Sequence, residues 1–239
     1  MMKYFATSMM CVDYFNLKDQ IKIIEKHTDY YHIDIMDGHF VPNLALSFDF
    51  IKQLRAYTNK AIDAHLMMTD PEKFIDLLME LKVDYISLHP KTIEKDVFRI
   101  IKKLKENHIK FGIVLSPSMG LDDIYYYRHH VDKITVMTVE PGFAGQKVIP
   151  EAIDKIKEVF EYRKQHQLDF LIEVDGSNNF ETFEDYYKNG TDIFILGSTL
   201  FKEEDLNQYY QNIKDYIGRI HDLSIGYRYR WNPFKMGYS

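Results

Sequence analysis

The stretch AIDAHLMMTDPEKFIDLLMELKVDYISLHP, residues 61–90, contains one complete structural unit and the start of the next. AIDAHLM is short and apolar and runs into polar turn chemistry, which predicts a strand. PEKFIDLLMELK repeats its apolar residues three and four apart, as a helix packed on one side requires. YISLH then reads as a second strand, and strand, helix, strand in that order implies a parallel pair. The alternation continues in both directions. YFATSM (4–9), YHIDIM (31–36), KFGIVLS (110–116), DKITVM (132–137), DFLIEVD (169–175) and DIFILGS (192–198) supply further strands. LKDQIKIIEKH (17–27), EKDVFRIIKKLKENH (94–108) and PEAIDKIKEVFEYRKQ (150–165) supply amphipathic helices. Eight strand–helix units of about 30 residues each use nearly the whole chain, which predicts a single closed (β/α)8 TIM barrel. An open doubly wound sheet would want a GxGxxG turn after the first strand, where this chain has SMMCVD.

No linker or composition break divides residues 1–221. Beyond about His221 the helical period fails in HDLSIGYRYRWNPFKMGYS, so 222–239 is expected to be an irregular tail lying on the surface, with a subunit contact as the alternative because Tyr, Trp and Arg favour interfaces. A homo-oligomer is expected. The net charge of −6 gives no general attraction for nucleic acid or anionic lipid, and neither is expected as a partner. One cysteine, Cys11, allows no intrachain disulfide. The start MMKYFATSMMCVDYF lacks a sustained apolar run, and no stretch approaches the roughly 20 apolar residues of a membrane span. A soluble, cytoplasmic protein is expected.

In an α/β barrel the reacting groups come from the C-terminal ends of strands. His32, Asp34 and Met36 alternate along one strand and so share a face, as do His65 and Met67 on the next and Glu173 and Asp175 on the seventh. Buried polar groups are usually just hydrogen-bonded to one another. Here two histidines and two aspartates would all have to be satisfied inside one mouth, and a divalent metal resolves this by offsetting the buried carboxylates. His32, Asp34, His65 and Asp175 are therefore the candidate ligands of one Zn, Co, Mn or Fe ion. The loops after the sixth, seventh and eighth strands read VEPGFAGQ, DGS and GS. Glycine lets backbone N–H groups approach phosphate oxygens, and barrels often bind phosphate there. Gly142, Phe143, Ala144, Gly145, Gly176, Ser177, Gly197 and Ser198 are the candidate phosphate cradle.

The segments YHIDIMDGHFVPN, DAHLMMTDPE, KITVMTVEPGFAGQ, EVDGS and LGS resemble the ribulose-phosphate 3-epimerase family, from about Tyr4 to about Lys202. MDGHFVPN, LHPKTI and EVDGSNN are most similar to members acting on D-allulose 6-phosphate, whereas pentulose-phosphate members more often show PGFGGQ and VDGG, with glycine where this chain has Ala144 and Ser177. The resemblance implies a ribulose-phosphate-binding type of barrel. It makes Asp34 and Asp175 the catalytic acid/base pair as well as metal ligands, with His32 and His65 completing the metal site. It also implies that Ser8 and His65 bind substrate and that Met36, Met67 and Met137 line the reacting centre. His89 matches in position, but Pro90 and Lys91 follow it, and it stays outside the catalytic set.

Inverting carbon 3 of a 2-ketose phosphate requires a base on each face, and Asp34 and Asp175 arrive from different strands. The expected reaction is metal-dependent 3-epimerisation of D-allulose 6-phosphate to D-fructose 6-phosphate through a metal-stabilised 2,3-enediolate, without an organic cofactor. D-Ribulose 5-phosphate to D-xylulose 5-phosphate is the alternative. A sugar-phosphate lyase or decarboxylase would want a lysine at a strand end, and none is evident. A non-catalytic phosphosugar-binding barrel would have no use for this ligand set.

Overall fold

The computed structural model describes residues 3–230. Eight parallel strands, β1 (Tyr4–Ser8), β2 (Tyr30–Met36), β3 (Ala61–Met67), β4 (Tyr85–Leu88), β5 (Lys110–Leu115), β6 (Lys133–Met137), β7 (Leu171–Asp175) and β8 (Ile193–Leu196), pair in sequence order and close β8 onto β1. The helices are α1 (Leu17–His27), α2 (Phe48–Tyr57), α3 (Ile75–Glu80), α4 (Pro90–Ile93), α5 (Val97–Glu106), α6 (Pro150–Gln165), α7 (Phe183–Lys188) and α8 (Leu206–Arg230). This is the (β/α)8 barrel expected from the alternation.

Side-chain alternation splits the strands into two environments. Outward residues such as Tyr31, Ile33, Ile62, Leu66, Ile86, Ile134, Ile172 and Phe194 join the helices in one large apolar layer. Burying each such side chain stabilises the fold by about 1.5–3 kcal/mol. The inward face is different. Its lower end is an apolar plug of Ala6, Tyr30, Ile193 and Ile195. Above the plug lie His32, Asp63, Ser87, Lys133, Thr135 and Glu173, all completely buried. Gly112 is required at this level, because a Cβ there would sit 2.3 Å from Ser87 Oγ.

A repeated device starts every second strand. Asp29, Asp84, Asp132 and Asp192, each just before an even-numbered strand, accept a backbone N–H from the preceding odd strand at Phe5 (2.7 Å), Ile62 (2.8 Å), Phe111 (2.8 Å) and Ile172 (3.0 Å). The carboxylates thus satisfy N–H groups at the foot of the sheet, where the ladder begins.

The last helix departs from expectation. It runs unbroken to Arg230, so the first part of the segment 222–239 is helical and not irregular. No proline falls between Pro150 and Pro233, and the loss of a clean apolar period does not break a helix already packed through Tyr210, Ile213, Ile217 and Ile220. The remainder of the expected tail, 231–239, lies outside the described residues. No helix among the described residues is long and apolar enough to cross a membrane.

Candidate active site

The parallel register places Asp34 beside His65, Met36 beside Met67 and Met137 beside Asp175. All of these face the barrel interior at its C-terminal mouth. His32 Nε2 lies 3.3 Å from Asp34 Oδ1 and 3.9 Å from Asp175 Oδ2. His65 Nδ1 lies 3.1 Å from Asp34 Oδ1 and 3.9 Å from Asp175 Oδ2. One atom from each of the four residues falls within 4.8 Å of all the others. The structure therefore brings together the four residues that the sequence offered as candidate ligands.

The donor set fits a metal ion. His32 Nδ1 lies 2.9 Å from Asp63 Oδ2, a contact that needs a proton on Nδ1 and that, in the neutral ring a metal would bind, leaves Nε2 as a bare acceptor. That Nε2 is buried without a hydrogen-bond partner, facing two carboxylates that repel its lone pair. A cation between them satisfies all three groups. Two imidazoles and two carboxylates suit Zn2+, Co2+, Mn2+ or Fe2+.

Without that cation the groups polarise one another. Burial opposes a charge on His32, yet Asp34 and Asp63 overcome it and carry its pKa up to about 10. Burial likewise opposes ionisation of Asp34, but His32 and His65 hold its carboxyl well below the usual range. Asp175 is pushed up, by burial and by the charge of Asp34. Environments that drive two carboxylates apart in this way are the pattern expected of an acid and a base.

The cluster floors a cleft of about 580 Å³ open to solvent. Ser8, Met36, Met67 and Met137 line it, as do all the candidate phosphate residues: Gly142, Phe143, Ala144, Gly145, Gly176, Ser177, Gly197 and Ser198. Ser8 Oγ donates to Asp34 Oδ2 at 2.7 Å. Gly176 adopts φ +103°, and a Cβ there would stand 2.7 Å from Val139 Cγ2. The loop after β2 grips the loop after β6: Asn43 Nδ2 donates to the Gly142 carbonyl at 2.7 Å, and Val41 occupies the space a Gly142 side chain would need.

Several residues of this region were set aside on the sequence, as His89 was, or not singled out there. His89 is wholly buried, its Nε2 3.0 Å from His65 Nε2 and its Nδ1 3.2 Å from Ser116 Oγ. Burial and neighbouring His65 hold its pKa well below the ordinary histidine value, so His89 is a neutral acceptor for an Nε2 proton that leaves His65 Nδ1 toward the metal position. Its spacing from Ser87 continued the interior face of β4, a signal obscured by the proline that follows. Asp63 and Lys133 went unremarked because they lie at the lower halves of their strands. Met10, Cys11, Gln146, Asn178 and Thr199 also border the cleft.

A sequence profile described as "Ribulose-phosphate 3 epimerase family" matches residues 4–201. The chain belongs to this family. The ribulose-phosphate 3-epimerase of Methanocaldococcus jannaschii is 34% identical over 88% of this chain and 89% of the relative. That of Bacillus subtilis is 35% identical over 84% of this chain and 93% of the relative. Family membership makes the protein an isomerase of the epimerase class in carbohydrate-phosphate metabolism, and the ribulose-phosphate 3-epimerase family is dependent on a divalent metal that the cluster can hold. Among solved structures, 3-keto-L-gulonate-6-phosphate decarboxylase from Vibrio cholerae superposes with a TM-score of 0.68 at 14% identity, covering 92% of this chain and 99% of that one, which shows a shared barrel.

Proposed function

We propose that the protein interconverts D-allulose 6-phosphate and D-fructose 6-phosphate by inverting carbon 3. The observation that carries this reading is the convergence of Asp34 and Asp175, from strands well separated around the barrel, on one cluster beneath a glycine-rimmed cleft. Asp34 and Asp175 serve as the two bases, one for each face of the substrate. His32, Asp34, His65 and Asp175 hold the metal, which when bound supplies Lewis acidity toward the oxygens next to the reacting carbon. Before metal binds, Asp175 is the more weakly acidic carboxyl of the two, pushed up by burial and by Asp34. One aspartate removes the C3 proton, the planar enediolate stays in place, and the other returns a proton to the opposite face. Met36, Met67 and Met137 give that intermediate an apolar wall that excludes water. The loops at Gly142–Gly145, Gly176–Ser177 and Gly197–Ser198 hold the phosphate, and Ser8 orients Asp34.

Each base contributes about 10²- to 10⁴-fold in rate. Asp34→Asn and Asp175→Asn should therefore each cut interconversion by that factor at saturating metal. Each variant should retain solvent deuterium exchange only with the epimer whose C3 hydrogen faces the aspartate that remains.

A second reading, D-ribulose 5-phosphate to D-xylulose 5-phosphate, is favoured by the names of the 32–35% identical relatives. The two substrates differ by one CHOH group, worth as little as about 1–3 kcal/mol of discrimination. The deciding experiment follows deuterium entry at carbon 3 of both sugar phosphates on enzyme reconstituted with Zn2+, Co2+, Mn2+ or Fe2+. Faster exchange with the hexulose supports the proposal. Faster exchange with the pentulose keeps the mechanism and overturns the substrate, and no exchange with either at a filled metal site overturns the epimerase reading. A homo-oligomer in the cytoplasm completes the proposal, checked by light scattering and by fractionation.

A further inference from the structure

The mechanism leaves Lys133 unused, although it lies wholly buried inside the barrel, one level below the metal cluster. Its ammonium contacts Asp63 Oδ2 and lies 2.6 Å from Glu173 Oε1, over the faces of Tyr30 and Tyr85 at 5.5 and 5.3 Å. His32, Asp63 and Glu173 could by themselves gather round a second cation. The lysine fills that position with a charge that cannot dissociate from the chain.

Asp63 is the centre of this layer. Its Oδ1 accepts from Ser87 Oγ at 2.6 Å, and its Oδ2 accepts from both Lys133 and His32 Nδ1. A metal ion offsets the charges of Asp34 and Asp175 and has none to spare for a third carboxylate. Lys133, anchored on its other side by Glu173, and Ser87 together fix where both Asp63 oxygens lie, and so fix the acceptor that His32 Nδ1 meets. Metal-binding histidines in general depend on a partner at the far ring nitrogen to fix tautomer and ring orientation.

We infer that Lys133 is a positioning residue for the metal: it fixes the Asp63 side chain where its Oδ2 accepts the His32 Nδ1–H bond, and so presents His32 Nε2 to the ion. The inference rests on the metal-binding half of the proposed function and is independent of which sugar the enzyme turns over. Two features set it apart from a purely structural ion pair. The pair touches the ligand's far nitrogen directly, and its second anchor, Glu173, stands two residues before Asp175 on β7, so that one ammonium joins the strands that contribute ligands from both sides of the barrel.

The test compares Zn2+ dissociation constants, by competition with a chelating indicator, for the wild type, Lys133→Met and the double variant Asp63→Asn/Lys133→Met, each first made metal-free. Second-sphere partners of this kind are worth about 10- to 100-fold in metal affinity, and a loss of that size is expected in both variants. The double variant removes both charges, so a merely structural pair would be repaired by it and would bind Zn2+ as the wild type does. That result, or unchanged affinity in Lys133→Met, would overturn the inference. If Lys133→Met fails to fold, the double variant decides alone, together with imidazole ¹⁵N spectra of the Zn2+-loaded wild type. Those spectra should show His32 protonated at Nδ1 and coordinated through Nε2, and coordination through Nδ1 would refute the assignment. A wild type that binds no Zn2+ would remove the proposed metal site itself, and the inference with it.

Discussion

Asp37, immediately after β2, shows how one side chain sets the shape of the loop over the mouth. Its Oδ1 accepts the backbone N–H groups of His39 and Phe40 at 2.8 Å each, and its Oδ2 accepts from Thr69 N at 2.8 Å. Slight burial works against the charge, but these donors overcome it and lower the pKa from 3.8 to about 2. A carboxyl depressed on folding contributes stability that is present above its unfolded pKa and lost as pH falls through the folded one. The urea-midpoint gap between wild type and Asp37→Asn should thus be constant above about pH 4 and close between about pH 4 and pH 2. A gap that persists at pH 2 would mean that the amide's lost geometry, and not the charge, is responsible. Ser177 offers a second test. It holds φ +45°, a region that costs a non-glycine residue roughly 1–2 kcal/mol. Ser177→Gly should raise stability by about 1 kcal/mol in chemical denaturation, and if the hydroxyl meets the hexulose it should raise KM for that substrate above its change for the pentulose. Alternation along β2, β3 and β7, joined to the ligand chemistry of imidazole and carboxylate, was what offered His32, Asp34, His65 and Asp175. The same alternation puts Asp63 on the face of His65 and His89 on the face of Ser87, but which groups they and Lys133 meet depends on closure and register, which no local pattern records.

The strands and the helices α1 and α6 were fully legible, since their apolar periods are uninterrupted. The segment after β5 was not. Leu121–His130 coils as a 3₁₀ helix, and LDDIYYYRHH has no 3.6-residue apolar face to announce it. Pro71–Phe74 opens in the same tighter form before α3 takes over, so PEKFIDLLMELK was legible as helical but not as two segments. The four aspartates before the even strands were also overlooked, because their meaning lies in the partner strand. Each makes the start of one strand conditional on its neighbour. Asp29→Ala should leave the Phe5 N–H without its acceptor and cost about 1–3 kcal/mol by equilibrium unfolding, with turnover unchanged. Gly112→Ala should cost a similar 1–3 kcal/mol, since Ser87 must yield, and with it the Ser87 bond to Asp63.

The barrel closes through strand pairing and an apolar layer that owe nothing to the ion. Metal binding should therefore add to stability without creating the fold. An ion at a hundredfold excess over its dissociation constant stabilises the native state by about 2.7 kcal/mol. Stripping it with a chelator should lower Tm by roughly 5–10 °C while the far-ultraviolet dichroism stays intact. Loss of the dichroism at room temperature would show the ion to be structural. The placement of the ligands bears on how the cell makes this protein. During synthesis His32, Asp34 and His65 emerge early and Asp175 only after β6 has been translated, so a nascent chain can offer three donors but no closed cage. The last ligand becomes available only when the barrel is almost complete. With the metal held as proposed, it should enter a finished protein, and cells short of it should accumulate folded, dormant enzyme that revives on resupply without new translation.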